Sequence, residues 1–264
     1  MSATDPSDVL LEFLTLEELD TNLYRAGNPD EQFMPHLYGG QVAAQALRAA
    51  AHTVPDDRHP HSLHGYFLRG GRPDRPTIMA VDRDRDGGSF SARHVNALQD
   101  GEVIFSALAS FHVDEEGIDY HVPGLPEVDA PESLPEHDRV GHNAMFDVRY
   151  LVASATDPWA SSRMWVRPRS TLPDDRVMRA CVLTYVSDMG WAFGAVPGND
   201  GIGGPSLDHA VWFHRSIPVD QWMLLDLQPV SVAGARGVYI GTIHDRAGTL
   251  AASIAQEVLL RSRR

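Results

Sequence analysis

The sequence lacks lysine altogether. All 22 basic residues are arginine, and they stand against 36 Asp and Glu residues, which gives a formal net charge of −14 at pH 7. Such a strong negative charge argues against non-specific binding to nucleic acid and against docking on an anionic membrane surface. A polyanionic ligand would therefore need a local cluster of arginines.

Cysteine and long hydrophobic runs are also scarce. The single cysteine, Cys181, excludes an internal disulfide and a multi-cysteine metal site, and its apolar surroundings predict a buried, unreactive thiol. No apolar run approaches the roughly 18 residues that span a membrane, and the N-terminus has no basic segment followed by an apolar run. We therefore expect a soluble, cytoplasmic protein of one large domain or two small ones.

The common catalytic signatures are missing as well. The sequence contains no Gly-x-Ser-x-Gly elbow, no Walker A loop, no Gly-x-Gly-x-x-Gly that opens a helix after a strand, and no His-Glu-x-x-His. His59, His61 and His64 cluster, but Pro60 interrupts them and no acid lies at ligand spacing. Surface or strand histidines are favoured there over a metal site.

A helix that ends in an acid is the feature around which the chain is organised. In residues 176–191 apolar side chains recur with a period near 3.6, at positions 178, 181, 182, 185, 186 and 189. Thr171 is a candidate N-cap, and Gly190 is a stop signal. Asp188 lies at the border of the apolar face, where a carboxylate is costly unless it is bonded. It is either a capping or salt-bridged acid, or an acid that does chemistry.

The first half of the chain reads as one helix followed by an antiparallel sheet. Residues 16–26 predict a strand after a short helical lead-in, residues 27–30 a turn, and residues 38–52 an Ala-rich helix opened by two glycines. Four strand-like runs follow, separated by Gly-containing hairpin signals, at 61–69, 77–84, 89–98 and 103–113. This order predicts an α+β fold in which a curved sheet wraps a helix.

The second half repeats that order after an acidic, Pro-rich stretch at 114–139, which we interpret as a linker. A short strand at 163–167 and the Asp188 helix are followed by a Gly-rich loop at 194–204. Strand-like runs are then predicted at 207–217, 222–232, 235–244 and 249–260, the last of them with a partly helical composition.

Two local matches indicate a duplication. Residues 66–69 (Tyr-Phe-Leu-Arg) resemble residues 212–215 (Trp-Phe-His-Arg), 146 positions later. Ala92-Arg93 resembles Ala235-Arg236, 143 positions later. Because the two offsets nearly agree, we predict an internal repeat.

Polar residues among apolar neighbours are the remaining site candidates. Ser206 and Asp208 point to one face of a strand that follows the Gly-rich loop. Gln256 lies among small and apolar residues near the C-terminus. Its amide could hold a water or a ligand, or simply bond a neighbouring strand, and Ser206 could be an ordinary loop hydroxyl.

Several of these runs together resemble the type II acyl-CoA thioesterases. The similar stretches are 38–47 (YGGQVAAQAL), 61–69 (HSLHGYFLR), 86–93 (DGGSFSAR), 208–215 (DHAVWFHR) and 233–237 (AGARG). The resemblance covers nearly the whole chain in the same order and weakens only between about residues 114 and 159. It implies a double hotdog, with an N-terminal hotdog domain at 1–115, a linker at 116–158 and a C-terminal hotdog domain at 159–264.

The resemblance also implies an activity and a catalytic set. The expected reaction is hydrolysis of fatty acyl-CoA to free fatty acid and CoA, without a cofactor or a metal. The family's Asp, Thr and Gln fall on Asp188, Ser206 and Gln256, and this sequence departs from the pattern by having Ser206 where Thr is usual. Serine keeps the hydroxyl but loses the methyl group that restricts the rotamer. The family resemblance further implies self-association into a homo-oligomer.

These residues suit a mechanism in which no covalent nucleophile is needed. Asp188, Ser206 and Gln256 could hold one water, and Asp188 would accept its proton. The backbone N–H groups of Gly40 and Gln41, at the positive end of the first helix, are the expected oxyanion donors. The CoA phosphates should meet arginines. The candidates are Arg69, Arg83, Arg85 and Arg93.

Two alternatives stay open at this point. A hotdog hydratase acting on enoyl-CoA would carry an Asp-x4-His pair in its helix, and the nearest match, Asp56 to His61, contains Pro60 and follows the helix. A non-catalytic acyl-CoA-binding protein is the other alternative, which the Thr-to-Ser change at Ser206 leaves open. It would bind ligand without releasing free CoA.

Overall fold

A computed structural model of the chain describes residues 9–28, 36–122, 124–137, 141–151, 157, 159–193 and 204–261. Its three α-helices are α1 (Val9–Leu14), α2 (Gly39–Ala51) and α3 (Arg176–Ser187). The strands of the first half are β1 (Glu17–Asp20), β2 (Leu23–Ala26), β3 (Arg58–Phe67), β4 (Thr77–Asp86), β5 (Phe90–Gln99) and β6 (Glu102–Val113). Those of the second half are β7 (Phe146–Leu151), β8 (Ser162–Pro168), β9 (Asp208–Phe213), β10 (Met223–Ala233), β11 (Arg236–Asp245) and β12 (Leu250–Leu259).

All twelve strands form one antiparallel sheet, in the order β1-β2-β4-β5-β6-β3-β9-β12-β11-β10-β8-β7. The prediction of an α+β fold is confirmed, whereas the expected pair of curved antiparallel sheets, each wrapped around a central helix, is not: the strands form one continuous sheet. The two halves join through β3 and β9, which pair directly from Ser62 opposite Trp212 to Tyr66 opposite Asp208. This pairing lies between strands about 146 residues apart, so local patterns could not reveal it.

The strand order on one side of the β3–β9 junction repeats on the other. His64 pairs with Ala210 at this junction, and the two positions differ by 146 (210 − 64), the offset found between residues 66–69 and 212–215. The internal repeat is therefore a structural one, related by an approximate twofold axis that passes between His64 and Ala210.

The second sequence match, at an offset of 143, is wrong. In the first half, Leu108 pairs with His64 at the junction on one side and with His94 on the other. In the second half, Ala255 pairs in the same way with Ala210 and with Ile240. His94 and Ile240 therefore each lie two strands away from the junction. They are therefore counterparts at an offset of 146 (240 − 94), and Arg93 corresponds to Tyr239. Ala235, by contrast, is a turn residue with a φ of 59°.

Three further expectations are corrected. The run 249–260 is a strand, β12, because its Ala-rich sequence pairs on both sides with β11 and β9 and tertiary pairing overrides helix propensity. The linker expected at 116–158 contains β7, which pairs with β8, so the second half of the sheet begins earlier than residue 159. Residues 16–26 form two short strands, β1 and β2, because the chain turns at Asn22 with a φ of 60°.

The central helices lie side by side and are buried. The alanines of α2 allow close packing against the sheet and α3, and eight of its positions, 41, 43–47, 49 and 50, are fully buried. Helix α3 begins after Asp175, not Thr171, because the Asp175 carboxylate accepts from the N–H groups of Val177 and Met178 at 3.1 and 3.2 Å.

Half of the predicted turn at 27–30 and nearly all of the Gly-rich loop at 194–204 lie outside the described residues.

Cys181 is buried in α3, and burial raises the pKa of its thiol to about 12, which makes it unreactive as expected. Within the described ranges, no helix has the length and apolar character needed to cross a bilayer.

Arg93 of β5 is a fully buried cation that ties the end of α2 to the sheet. Its guanidinium donates to Thr53 Oγ1 at 2.8 Å, to the Thr53 carbonyl at 3.0 Å, to the Arg85 carbonyl at 2.9 Å and to Asp86 Oδ1 at 2.6 Å. The side chain is 0% exposed. Arg93 is therefore a structural arginine and leaves the set of CoA-phosphate candidates, whereas Arg69, Arg83 and Arg85 are exposed.

We predict that Arg93→Met destabilises the fold by about 3 kcal/mol, because it leaves buried carbonyls without donors and removes a partner of Asp86. Urea denaturation at pH 7.5 measures the change. The matched control is Arg83→Met, on the exposed face of β4, which should cost less than about 1 kcal/mol. Equal stability losses in the two variants would contradict the structural role of Arg93.

Candidate active site

The carboxylate of Asp188 lies where the end of one central helix meets the start of the other. Asp188 is the C-cap residue of α3, and its Oδ2 accepts a hydrogen bond from the Gly40 N–H in the first turn of α2 at 2.8 Å. A carboxylate is unfavourable at the negative end of its own helix and favourable at the positive end of another. The contact with α2 therefore offsets the cost of placing Asp188 at the end of α3.

Two glycines make this close approach possible. A Cβ at residue 39 would lie 2.7 Å from Asp188 Oδ2, and a Cβ at residue 40 would lie 2.6 Å from the carbonyl oxygen of Tyr185. Both distances are shorter than Cβ contacts in real proteins. The Gly pair that marked the start of the helix in the sequence therefore has a second role, which is to let the Asp188 carboxylate reach the backbone of α2.

The structure brings the three residues of the predicted catalytic set together. Gln256 Nε2 donates to Asp188 Oδ1 at 2.9 Å and to Ser206 Oγ at 2.6 Å. Ser206 Oγ is 3.5 Å from Asp188 Oδ1, which is too long for a strong hydrogen bond. One amide thus holds both the carboxylate and the hydroxyl, although the three residues are up to 68 positions apart in sequence.

Different elements position these side chains. Gln256 lies in β12, is 3% exposed, and pairs with Tyr239 on the neighbouring strand β11. Ser206 forms an isolated bridge with Val258 just before β9, so the start of β9 is fixed against the end of β12. The alternative roles considered for these residues were an edge-strand amide for Gln256 and an ordinary loop hydroxyl for Ser206. Neither role accounts for the contacts with Asp188.

Aromatic side chains surround the carboxylate. Tyr38 and Tyr185 pack with ring centroids 4.8 Å apart, and Tyr38 stacks on His142 at 4.4 Å. Burial raises the pKa values of the Tyr38, Tyr185 and Tyr239 hydroxyls well above their ordinary range, and the nearby Asp188 charge adds to this. All three hydroxyls therefore stay protonated and cannot supply a base at neutral pH.

The first of the two expected oxyanion donors is engaged elsewhere. The Gly40 N–H donates to Asp188, so in this structure it orients the carboxylate and is not directed at a substrate oxygen. The side chain of Gln41 donates to Asn28 Oδ1 at 2.7 Å. In the part of the chain that the structure describes, no group of three or more His, Cys, Asp or Glu side chains has the arrangement of a metal site.

Sequence reasoning missed two residues of this site, His209 and Ser187. His209 Nδ1 contacts Gln256 Oε1, and His209 Nε2 lies 2.7 Å from Ser187 Oγ. His209 is 1% exposed and Ser187 is fully buried. Both adjoin residues that the motifs had singled out, since His209 follows Asp208 and Ser187 precedes Asp188, but adjacency alone gave no role to either of them.

The first half of the repeat carries no counterpart of this polar set. At an offset of 146, His209 corresponds to Leu63 (209 − 146). Because Leu108 and Ala255 occupy equivalent positions beside the junction, Gln256 corresponds to Ala109. Leu63 and Ala109 are buried apolar residues, at 1% and 0% exposure. Among the residues that the structure describes, the twofold arrangement therefore has this polar site in one half, where α3 supplies the acid.

The geometry and the topology define a class of protein: an α+β chain in which a half-buried carboxylate and hydroxyl share a buried amide beside two central helices. A structure from Alicyclobacillus acidocaldarius titled as a conserved protein with a hot dog fold matches with a TM-score of 0.83 at 20% identity, and covers 99% of this chain and 100% of that one. At that identity the likeness concerns the fold alone, which is a hotdog fold.

Sequence comparison then gives the family. Residues 29–112 match the model of the acyl-CoA thioesterase N-terminal domain, and residues 123–260 match that of the acyl-CoA thioesterase C-terminal domain. Rat acyl-coenzyme A thioesterase 8 is 34% identical over 288 residues, 97% of this chain and 90% of that protein. The crystal structure of acyl-CoA thioesterase II TesB2 from Mycobacterium marinum is 38% identical, has a TM-score of 0.83, and covers 96% of this chain and 97% of that one.

The chain belongs to the acyl-CoA thioesterase family. The predicted resemblance and the predicted class of enzyme, a hydrolase of acyl-CoA thioesters, are confirmed. The C-terminal family model begins at residue 123, which agrees with the presence of β7 in the stretch that we expected to be a linker.

Acid should destabilise the fold through its buried histidines. Burial lowers the pKa of His209 below its usual 6.5, so below that pH the unfolded chain binds a proton that the folded chain does not. Stability should therefore fall as the pH drops through 6.5, by at most about 1.4 kcal/mol per pH unit for this one group. We predict that the urea midpoint of the wild type falls between pH 7.5 and 5.5.

The control is His209→Asn, which cannot titrate and should show a smaller fall. His52, His142 and His214 also have pKa values lowered by burial, so part of the fall should remain in the variant. An identical fall in wild type and His209→Asn would show that His209 is not held neutral by the fold.

Proposed function

We propose that this protein hydrolyses fatty acyl-CoA to free fatty acid and CoA by direct attack of water, with Asp188 as the general base. The observation that carries the proposal is the arrangement of Asp188, whose two oxygens accept from the Gly40 N–H and from Gln256 Nε2. Fixed donors of this kind orient a carboxylate without neutralising it. A thioester suits such a base, because a thiolate with a conjugate-acid pKa near 8.5 is a tolerable leaving group.

Ser206 is the proposed second ligand of the attacking water. Its oxygen accepts from Gln256, so its own hydrogen is available for another acceptor, and Asp188 Oδ1 is 3.5 Å away. A water that accepts from the Ser206 hydroxyl and donates to Asp188 would satisfy both groups. Its remaining lone pair would then face the thioester carbonyl, and its proton would pass to Asp188 as the C–O bond forms.

The contacts around Ser206 and Cys181 favour water over a covalent nucleophile. His209 contacts Gln256 and Ser187 and makes no hydrogen bond with Ser206, so among the described residues no histidine activates that hydroxyl. Cys181 is buried, and its thiol pKa is raised to about 12. The thiol of Cys181 therefore stays protonated at neutral pH, and the base beside Ser206 is Asp188, at a distance too long for a strong hydrogen bond.

The oxyanion donor in this proposal is the Gln41 N–H, in the first turn of α2. Gly40 is reassigned to orienting the Asp188 carboxylate. The first turn of α2 lies at the positive end of the helix, which suits the negative charge that develops on the thioester oxygen. The Arg69, Arg83 and Arg85 side chains remain candidates for the CoA phosphates.

We further propose that each half of the chain is one hotdog, so that the whole chain is a double hotdog with one polar site. The repeated strand order and the pairing of α2 with α3 about the His64–Ala210 axis support this. The cytoplasmic location expected from the sequence and the homo-oligomer implied by the resemblance both stay predictions.

The alternatives have less support. The Asp56–His61 pair expected of a hydratase does not lie on a helix, since Asp56 is exposed between α2 and β3, and His61 Nε2 contacts Ser110 Oγ. A non-catalytic acyl-CoA-binding protein would not need a carboxylate held at two oxygens. Release of free CoA distinguishes hydrolysis from both alternatives.

We predict that Asp188→Asn lowers kcat by about 10²- to 10⁴-fold with little change in KM, because it removes the base and leaves the fold in place. CoA release is followed with a thiol reagent across acyl chain lengths. Since the chain's one cysteine is buried, the reagent reports on CoA and not on the folded enzyme. Asp82→Asn, at an exposed position of β4, is the matched control and should keep full activity. Undiminished CoA release by folded Asp188→Asn would refute the proposed base.

A further inference from the structure

His209 is a buried imidazole that the proposed reaction does not use directly. It lies in β9 between Gln256 of β12 and Ser187 of α3, and both of its ring nitrogens have a partner. It therefore connects the amide that holds Asp188 to the helix that carries Asp188.

The position of every proton in this network follows from Asp188. An ionised carboxylate only accepts hydrogen bonds, so Gln256 must present its nitrogen to Asp188 Oδ1, and its second hydrogen then goes to Ser206. The amide oxygen of Gln256 consequently faces His209. Because that oxygen can only accept, His209 Nδ1 must carry a hydrogen and donate it.

The other ring nitrogen is then decided as well. Burial lowers the pKa of His209, so the ring is neutral near pH 7 and its Nε2 is an acceptor. Ser187 Oγ, at 2.7 Å, must supply the hydrogen. The carbonyl of Thr184, 2.8 Å from Ser187 Oγ, is the competing acceptor, and bonding to it would leave Nε2 without a donor.

The opposite tautomer would not support the site. With its hydrogen on Nε2, His209 would direct the Nδ1 lone pair at the oxygen of Gln256, and the two acceptors would repel. Rotation of the amide by 180° would relieve that contact, but it would turn the amide oxygen toward Asp188 and Ser206. The tautomer of His209 therefore decides which end of Gln256 faces the carboxylate.

We propose that His209, held in its Nδ1–H tautomer by the Ser187 hydroxyl, is a positioning residue that fixes the amide of Gln256 and thereby places Asp188 and Ser206. This inference rests on the proposed function, in which Asp188, Ser206 and Gln256 hold the attacking water. It extends the site by two buried residues that do not touch the substrate.

The first half of the repeat argues against a merely structural role of His209 and Gln256. Leu63 and Ala109 take the places of His209 and Gln256 there, in a pair of strands, β3 and β6, with the same antiparallel pairing. The sheet therefore forms with an apolar pair at these positions. The imidazole and the amide occur together, in the half that contains Asp188.

Two amide substitutions distinguish the roles of the two ring nitrogens of His209. In His209→Asn the side-chain nitrogen can take the place of Nδ1 and still donate to Gln256 Oε1. In His209→Gln the longer side chain places its amide near the Nε2 position, toward Ser187, and leaves Gln256 Oε1 without that donor. Both variants bury one amide, so their costs to folding are comparable, and urea denaturation checks this.

The expected result is a difference in kcat between these two variants. His209→Asn should keep kcat within about tenfold of the wild type, while His209→Gln should lower kcat about 10²-fold with KM nearly unchanged. Equal losses in the two variants, or losses that follow stability alone, would overturn the proposal. Should either variant fail to fold, Ser187→Ala removes only one hydroxyl and should lower kcat about tenfold, and an unchanged kcat would overturn the role of Ser187.

A double-mutant cycle with Gln256→Ala distinguishes this inference from the proposed function. If His209 acts through Gln256, then His209→Gln should lower kcat less than about twofold further in the Gln256→Ala background. Independent, multiplicative losses would overturn the inference and leave the catalytic set intact. Full activity of Gln256→Ala by itself would instead overturn the proposed function.

Discussion

The contact between the start of α2 and the end of α3 is the interaction on which the site depends. The Gly40 N–H donates to Asp188 Oδ2 at 2.8 Å, and this bond places a carboxylate at the positive end of one helix and the negative end of another. In the described part of the chain no Arg or His forms an ion pair with Asp188, and its two oxygens are held by the Gly40 N–H and the Gln256 amide. Only glycine at positions 39 and 40 allows this approach.

The twofold repeat explains why one chain holds one such site. Two equivalent positions lie beside the β3–β9 junction, and a duplicated sequence can change them independently. One position has the apolar Leu63 and Ala109, which complete the core, and the other has His209 and Gln256. Burying polar groups is costly unless each is hydrogen-bonded, and here the chain from Ser187 through His209 and Gln256 to Asp188 satisfies them in turn.

Much of the fold and part of the site could be predicted from the sequence. The periodicity of α3, the Ala-rich pattern of α2 and the Gly-containing hairpins are local features, and the motifs around Asp188, Ser206 and Gln256 selected three residues that the structure brings together. The joining of two sheets into one depends on the pairing of β3 with β9, and β12 is a strand because of its neighbours, so neither is a local property. The engagement of Gly40 by Asp188 and the tautomer of His209 depend on contacts between distant elements, which no spacing in the sequence expresses.

The central claim is that water held by Asp188 attacks the thioester directly. A single turnover with excess enzyme in ¹⁸O-labelled water, quenched with acid on the millisecond timescale, tests it most directly. The account predicts that free acid and CoA appear at the same rate, that the label enters the fatty acid alone, and that the quenched protein carries no acyl group. Release of CoA ahead of the acid, an acylated protein, or label in the carboxylate of Asp188 would each show a covalent intermediate and contradict the account.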